Sequence, residues 1–433
     1  MKYDFEKALK KIKSIDTLRI YGKIEKIVGL KVESIGPKCT IGEILEIEGK
    51  EGEVSLQVVG FDGDKVISMA LGDITGIYQG QRVYSTGKYP GVYCGTQLLG
   101  RVINALGEPL DNKGEVIADD YIGVYNDPVN AMHREPITKA LSTGIKAIDG
   151  LITIGKGQRI GIFSGSGVGK STLMGMIARN TSADINVIAL VGERGRELKD
   201  FIENSLGKKG LERSIVVAAT SDEPPLIKIL ASFTATAIAE YFCNLGNDVL
   251  LMMDSITRLS MAQREVGLTA GEPPSTKGYT PSVFTMMPKL LERAGNFEGK
   301  GSVTGIYTVL VEGDDVTEPI SDHARSILDG HIVLSRDLSH RNHYPAIDIL
   351  GSISRLMKDV VKEDHLQIAG NVRRLLAVYK DAEDLINIGA YAKGSNPDID
   401  LAISKIKSIN SFLTQKINES FTFEQTVNLL KAI

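Results

Sequence analysis

Ten residues, FSGSGVGKST at 163–172, constrain the fold of this chain more than any others. They follow the apolar run QRIGIFS (158–164) and lead into STLMGMIAR, which has helical spacing, so a buried strand must turn through glycines directly into a helix. A loop of this kind aims consecutive backbone N–H groups, together with the positive end of the helix dipole, at phosphate oxygens. The usual pattern G-x-x-x-x-G-K-[ST] begins with glycine, whereas this chain has Ser164. That position makes the exit from the strand, which a small serine suits. Gly165, Gly167 and Gly169, with Ser166 and Val168 between them, keep the backbone free for close approach. Residues Ser164 to Thr172 are therefore the candidate phosphate cradle, with Lys170 reaching the β- and γ-phosphates and Ser171 ligating Mg²⁺. A plain Gly-Ser turn would leave the lysine without a reason.

Further apolar runs, INVIALVGE (185–193), SIVVAAT (214–220) and DVLLMMD (248–254), alternate with helix-like segments. Continuous rather than alternating apolar strands between helices indicate a parallel sheet covered on both faces. Asp254 closes one run, where the water shell of Mg²⁺ would lie if its strand neighbours the loop strand. Glu193 sits just past another, placed to orient a water for attack on the γ-phosphate. Arg194 follows it and can stabilise phosphate charge, while Glu197, one helical turn on, competes for the base role but fits better as a solvated helix residue. The acidic stretch 311–322, VEGDDVTEPISD, lacks Ca²⁺-loop spacing and fits turns and helix caps.

The chain divides into four textures. Residues 1–17 hold Phe5, Leu9 and Ile12 at helical spacing, consistent with an amphipathic helix that packs on its own domain or docks on another protein. From 18 to 95, short β-branched runs broken by glycine every 8–12 residues or so predict a small closed β-barrel. Residues 96–350 carry the α/β pattern, and 351–433 are rich in helix formers with heptad-like apolar spacing.

Composition excludes several functions. Lys and Arg total 50 against 54 Asp and Glu, a net charge of −4, so no nucleic acid is expected as the main partner. Cys39, Cys94 and Cys243 are odd in number and far apart, which argues against a disulfide framework and for a reducing compartment. The N-terminus has no apolar signal core, and no run approaches the roughly 20 apolar residues that span a bilayer. Membrane association would have to come through a partner protein.

Several long stretches, among them ALVGERGRELKDFIE, LLMMDSITRLSMAQREVGLTAGEPP, GYTPSVFTMMPKLLERAG and RSILDGHIVLSRDLSHRNHYPAIDILGSISRLM, together with the glycine loop, resemble the type III secretion ATPases, most closely their flagellar export branch. The resemblance runs over nearly the whole chain. It implies a fold like the catalytic subunit of rotary ATP synthases: an N-terminal β-barrel, a RecA-like P-loop NTPase core of α/β class and a C-terminal α-helical domain, assembled as a homohexamer. It implies that Lys170 and Ser171 bind the phosphates of ATP and Mg²⁺, that Glu193 activates water and that Asp254 is the second acid of the Mg²⁺ site. Arg355, in SISR, matches an arginine that reaches the γ-phosphate held by the neighbouring subunit. Tyr344, in HYPAID, matches an aromatic that stacks on adenine, and Phe421 is the candidate for a second one.

The resemblance also implies partners: a stator-like regulator on the N-terminal helix, a central stalk protein facing the glycine- and proline-rich segment 266–281, membrane proteins of the export gate, and export substrates with their chaperones. The location implied is cytoplasmic, at the periphery of the membrane export apparatus. A virulence-type secretion ATPase is the near alternative. Against a rotary synthase catalytic subunit stand GERGRE in place of GERTREG and the missing acidic loop DELSEED. Against an RNA-translocating hexamer stands the lack of interleaved aromatic and basic residues in 18–89. Against a silent ring subunit stands the joint presence of Lys170, Glu193 and Asp254.

Overall fold

Side chains that alternate inward and outward build the first unit. In Lys31–Ile35 the buried residues are Val32 and Ser34, and in Ile44–Glu48 they are Leu45 and Ile47, the period of two that a strand with one covered face requires. Six such strands, β1 (Tyr21–Val28), β2 (Lys31–Ile35), β3 (Ile44–Glu48), β4 (Glu53–Asp62), β5 (Lys65–Ala70) and β6 (Arg82–Lys88), close a barrel in the order β1-β2-β5-β4-β3-β6. Every pair is antiparallel, and Tyr21 opposite Tyr84 closes the ring. Closure leaves no edge strand open to another chain. Its interior is filled by Ile24, Val32, Leu45, Ile47, Leu56 and Val58 among others. The structure, a computed structural model, describes residues 20–49, 52–118, 120–311 and 318–433. The expected helix within residues 1–17 and the centre of the acidic stretch 311–322 lie outside the described residues.

The second unit comprises Gly91–Glu223, Lys228–Arg264 and Pro273–Ile433. Its sheet contains β7 (Val102–Ile103), β8 (Arg159–Ser164), β9 (Ile185–Glu193), β10 (Ser214–Thr220), β11 (Asp248–Asp254), β12 (Ser302–Leu310), β13 (Gly330–Leu334) and β14 (Ile347–Ser354). Their order is β14-β13-β8-β12-β11-β9-β10-β7, with the short strand Gly295–Asn296 also paired to β12. All pairs along this path are parallel except β13 with β14. The central strands are buried on both faces: eight of the nine residues of β9 are buried, the expected consequence of helices on each side. Against the expectation that no run approaches bilayer-spanning length, the helix Pro225–Asn244 is long and apolar enough to cross a membrane, but 83% of its apolar window is buried inside the protein, so it serves as a core helix.

The C-terminal helices share that core. Phe412, Leu413 and Leu430, on the helices Pro397–Leu413 and Phe423–Lys431, belong to the same buried cluster as Ile148 and Leu151 of the short helix Lys146–Leu151. His365, on the helix Glu363–Asn387, bonds the Gly150 carbonyl through Nε2 at 2.8 Å. Thr422 and Gln425 form a reciprocal capping box at the start of Phe423–Lys431, which fixes the backbone immediately after Phe421.

Candidate nucleotide site

Strand β8 ends at buried Ser164, whose Oγ makes no hydrogen bond among the described residues. The loop then turns through Gly167 (φ +79°) and Gly169 (φ +90°), left-handed conformations that glycine adopts without a Cβ penalty. Gly169 caps the helix Lys170–Asn180. Ser166, Gly167 and Ser171 are exposed on the loop, Thr172 is half-buried, and Gly165 and Val168 are buried beneath it.

Lys170 Nζ lies 2.5 Å from Asp254 Oδ1, and Thr308 donates its hydroxyl to the same oxygen at 2.7 Å. Asp254 is only 3% exposed, so the pair is held almost dry. The expectation that Asp254's strand neighbours the loop strand is corrected by the topology: β12 lies between β8 and β11. Two strand spacings, roughly 9–10 Å, separate the loop strand from the carboxylate's strand, and the lysine bridges them. Thr308, near the end of the intervening strand, supplies a hydroxyl that sequence reasoning did not anticipate.

Glu193 ends β9, with its side chain 14% exposed. Its carboxyl is pushed up to about 7, first by burial, then by the nearby negative charge of Asp254 and by a hydrogen bond shared with Glu197, against the opposing pull of Lys170 and Arg258. Arg258 Nε lies 3.4 Å from Glu193 Oε1. This arginine sits in the first turn of the helix Ile256–Ala270, four residues after Asp254. That spacing, a charged residue in the helix opening directly from an acidic strand end, is the signal by which the sequence would have disclosed it. Glu197 is more than the solvated residue expected: half-exposed, it bonds Glu193 and also pairs with Arg194 at 3.4 Å. Arg194 is 77% exposed, and its ion pair is with Glu197 rather than with the buried cluster.

A cavity of about 1030 Å³ opens beside the loop, lined by Gly167, Gly169, Thr172, Lys146, Tyr344 and Phe421 among others, at the upper end of the size expected for a small-molecule pocket. Tyr344 is 41% exposed, and its hydroxyl meets Ser339 at 2.8 Å. The Lys146 ammonium stands 4.9 Å from the centroid of the Phe421 ring. Both aromatic candidates therefore line one cavity. Gln415, buried, ties their segments together: its N–H donates to the Tyr344 carbonyl at 2.9 Å, its side-chain oxygen accepts from Lys146 N at 2.9 Å and its amide donates to the Gly144 carbonyl at 2.8 Å.

The donors suit Mg²⁺. An exposed Ser171 hydroxyl and a buried Asp254 carboxylate are hard oxygen groups, and this ion keeps several waters and takes few protein ligands when phosphates complete its shell. Among the described residues no group of three or more His, Cys, Asp or Glu side chains converges on a point, so a cage made of protein alone does not compete with that arrangement.

Arg355 lies elsewhere. Strand β14 runs antiparallel to β13, so Ser354 pairs with Gly330 at the start of β13, while Ser164 is level with Leu334 at its end. Arg355, level with Asp329, is therefore at the N-terminal edge of the sheet and the phosphate loop at the C-terminal edge, five residue steps or about 17 Å apart along the strands. Its exposed guanidinium donates to the Arg325 carbonyl at 3.3 Å. It cannot reach its own loop.

Comparison with known proteins agrees along the chain. Residues 144–354 match the ATP synthase alpha/beta family nucleotide-binding domain, residues 24–87 the beta-barrel domain of the same family, and residues 361–432 the T3SS EscN ATPase C-terminal domain. The flagellum-specific ATP synthase of Bacillus subtilis is 51% identical over 98% of this chain and 97% of its own length. The type 3 secretion system ATPase of Xanthomonas euvesicatoria is 46% identical over 96% of this chain and 94% of its own. The solved structure of the assembled ATPase EscN, from the type III secretion system of enteropathogenic E. coli, superposes with a TM-score of 0.90 at 46% identity, covering 95% of this chain and 99% of that one. With a nucleotide site of this geometry and relatives this close over their full length, the chain is an ATPase of the ATP synthase alpha/beta family, in its branch of flagellar and type III secretion ATPases.

Proposed function

We propose that this ATPase hydrolyses ATP to energise flagellar protein export, at sites shared between the subunits of a homohexameric ring. The observation that carries the catalytic part is the convergence of Lys170, Asp254 and Glu193 on one sheet edge beside a cavity with two aromatic walls. In this reading the loop amides of 164–172 and Lys170 bind the β- and γ-phosphates, and Tyr344 and Phe421 sandwich the adenine. Ser171 and Asp254 hold Mg²⁺, which supplies charge neutralisation on the phosphates when bound. Glu193, poised near neutrality, accepts a hydrogen bond from the attacking water and takes up its proton. Arg194, at the surface beside Glu197, has only an outer electrostatic part in this scheme.

The ring follows from Arg355. An arginine that cannot reach its own phosphate loop can serve a neighbour's, and such a residue is worth roughly 10³–10⁵ in rate. The solved assembly of EscN, and its complex with the central stalk EscO at a TM-score of 0.88 to this chain, support a ring with segment 266–281 facing a stalk. The N-terminal segment then meets a stator-like regulator at the cytoplasmic side of the export gate, where chaperones deliver substrates. The flagellar assignment draws support from the 51%, 49% and 50% identities to flagellum-specific relatives of Bacillus subtilis, Borreliella burgdorferi and Treponema pallidum.

The test is ATP turnover measured against enzyme concentration, together with the mass of the assembled species. Turnover per chain is expected to rise with assembly, Glu193→Gln to keep ATP binding and lose nearly all turnover, and Lys170→Ala to lose binding. Full turnover in Glu193→Gln, or turnover per chain that is constant while monomers dominate, refutes the reading.

A further inference from the structure

Arg355 has to be held firmly to act on a neighbour's phosphate, yet among the described residues its side chain makes one bond, to the Arg325 carbonyl. What holds it is the corner Asp329–Gly330. The Arg355 N–H donates to the Asp329 carbonyl at 3.0 Å. Gln158 Nε2 reaches the same carbonyl at 3.3 Å and Ser354 Oγ at 3.0 Å. The approach is close: a Cβ on Gly330 would sit 2.4 Å from the Ile353 carbonyl oxygen and 3.0 Å from Ser354 Cα, so no larger residue lets β14 seat there.

The Asp329 side chain faces the other way, towards the strand that ends in the phosphate loop. Its carboxylate takes Arg159 in a fork, Nε to Oδ2 at 3.1 Å and Nη2 to Oδ1 at 3.2 Å, and also accepts the Arg159 backbone N–H at 3.1 Å. The Asp329 N–H donates back to the Arg159 carbonyl at 2.8 Å. The third guanidinium nitrogen pairs with Glu292, which Arg134 also approaches at 3.5 Å. Arg159 and Asp329 are 15% and 23% exposed, so the fork is largely shielded from water and geometrically specific.

We propose that Asp329 is a positioning residue for the shared catalytic site: its carboxylate clamps the base of the phosphate-loop strand while its carbonyl seats Arg355, so each subunit presents its arginine on the same rigid body that carries its own loop. The inference rests on the reading of Arg355 given above. A displacement of about 1 Å in such a group costs on the order of 10²-fold in rate, so a loosened fork lowers kcat while leaving the nucleotide pocket, at the other edge of the sheet, intact.

The experiment compares Arg355→Ala, Asp329→Asn, their combination, and the charge-neutral pair Asp329→Asn with Arg159→Gln. ATP turnover, KM, oligomeric mass and Tm are read for each. Asp329→Asn is expected to lower kcat roughly 10- to 100-fold with KM within about twofold of the parent and the ring mass unchanged. Combined with Arg355→Ala, it should add little to the loss from Arg355→Ala alone, the non-additivity of two residues acting as one unit. The neutral pair removes the guanidinium that Asp329→Asn leaves with Glu292 as its one remaining acidic partner among the described residues, so its Tm recovers while kcat stays low, and it keeps the measurement possible if Asp329→Asn folds poorly. Recovery of kcat together with Tm shows a structural role only and overturns the proposal, as does an additive loss in the combination or a normal kcat in Asp329→Asn where Arg355→Ala is impaired. Normal turnover in Arg355→Ala brings down the interface reading itself, and this inference with it.

Discussion

Replacing Arg258 by glutamine should shift the pH dependence of turnover rather than simply lower it. The guanidinium stands 3.4 Å from the Glu193 carboxylate and favours its ionised form. Its side chain is 34% exposed, so the dielectric of water sets the scale, about 1.2 kcal/mol at this distance before salt screening, or about 0.9 of a pK unit. Removing a positive charge disfavours the carboxylate, so the Glu193 group, now pushed up to about 7, moves to about 8. A base that must be ionised to work is then roughly half available at pH 7 in the parent and about one-tenth available in the variant, a four- to fivefold loss from the shift alone. Near pH 9 both carboxylates are almost fully ionised and this part of the loss vanishes. The assay is phosphate release at saturating ATP from pH 6 to 9. A loss that is the same at pH 7 and pH 9, with the acid limb unmoved, refutes either the base assignment or the role of Arg258 in setting its charge.

The same carboxyl bears on stability. A folded-state value near 7 against an ordinary 4.5 means that the folded protein holds this proton more firmly than the unfolded chain, so its contribution is intact below about pH 4.5 and is lost as pH rises to 7. Glu193→Gln removes that penalty, and its Tm should exceed the parent's at pH 8, by the equivalent of roughly 1–3 kcal/mol, and converge with it near pH 4.5; equal Tm values at both pH values would contradict the burial argument. Tyr344→Ala and Phe421→Ala each remove one aromatic wall of the cavity. With stacking worth roughly 1–3 kcal/mol per base, a factor of about 5 to 160, KM for ATP should rise by that factor in each while kcat changes little, and an unchanged KM in either variant removes that residue from the adenine site.

Much of this was legible in the sequence because local physics decides it. The alternation in KVESI and ILEIE is that of a strand with one buried face, and an apolar strand running through glycines into a lysine-led helix has the local build that a phosphate loop needs. Strand order was not legible. The runs IGIFS, VIALV, VLLMM and IYTV are all buried on both faces and carry no mark of which lies beside which, so the insertion of β12 between Lys170 and Asp254, and with it the place of Thr308, came only from the structure. Arg258 escaped, and Glu197 was weighed only as a rival base, for a related reason: the contact of each with Glu193 is made by the fold, and its place in the sequence gives at most its nearness to an acidic strand end. That Tyr344 and Phe421 line one cavity was equally hidden: Gln415 bonds Tyr344 and Lys146, and Lys146 in turn stands over Phe421, but the polar character of Gln415 alone says nothing of partners so distant in the chain.

The antiparallel strand β14 carries the most consequence for function. A further parallel strand would have delivered Arg355 to the C-terminal edge, beside the chain's own phosphate loop. By turning back along β13, the chain places its arginine at the opposite edge, about 17 Å along the strand direction from the level of Ser164 and two strands to the side. In the proposed ring the two elements that must meet on one γ-phosphate are then held too far apart to meet within a single subunit, so an isolated chain binds ATP with its own loop and waits for a neighbour to complete the site. On that proposal hydrolysis is conditional on assembly through the direction of this strand, which is the dependence that turnover against enzyme concentration tests.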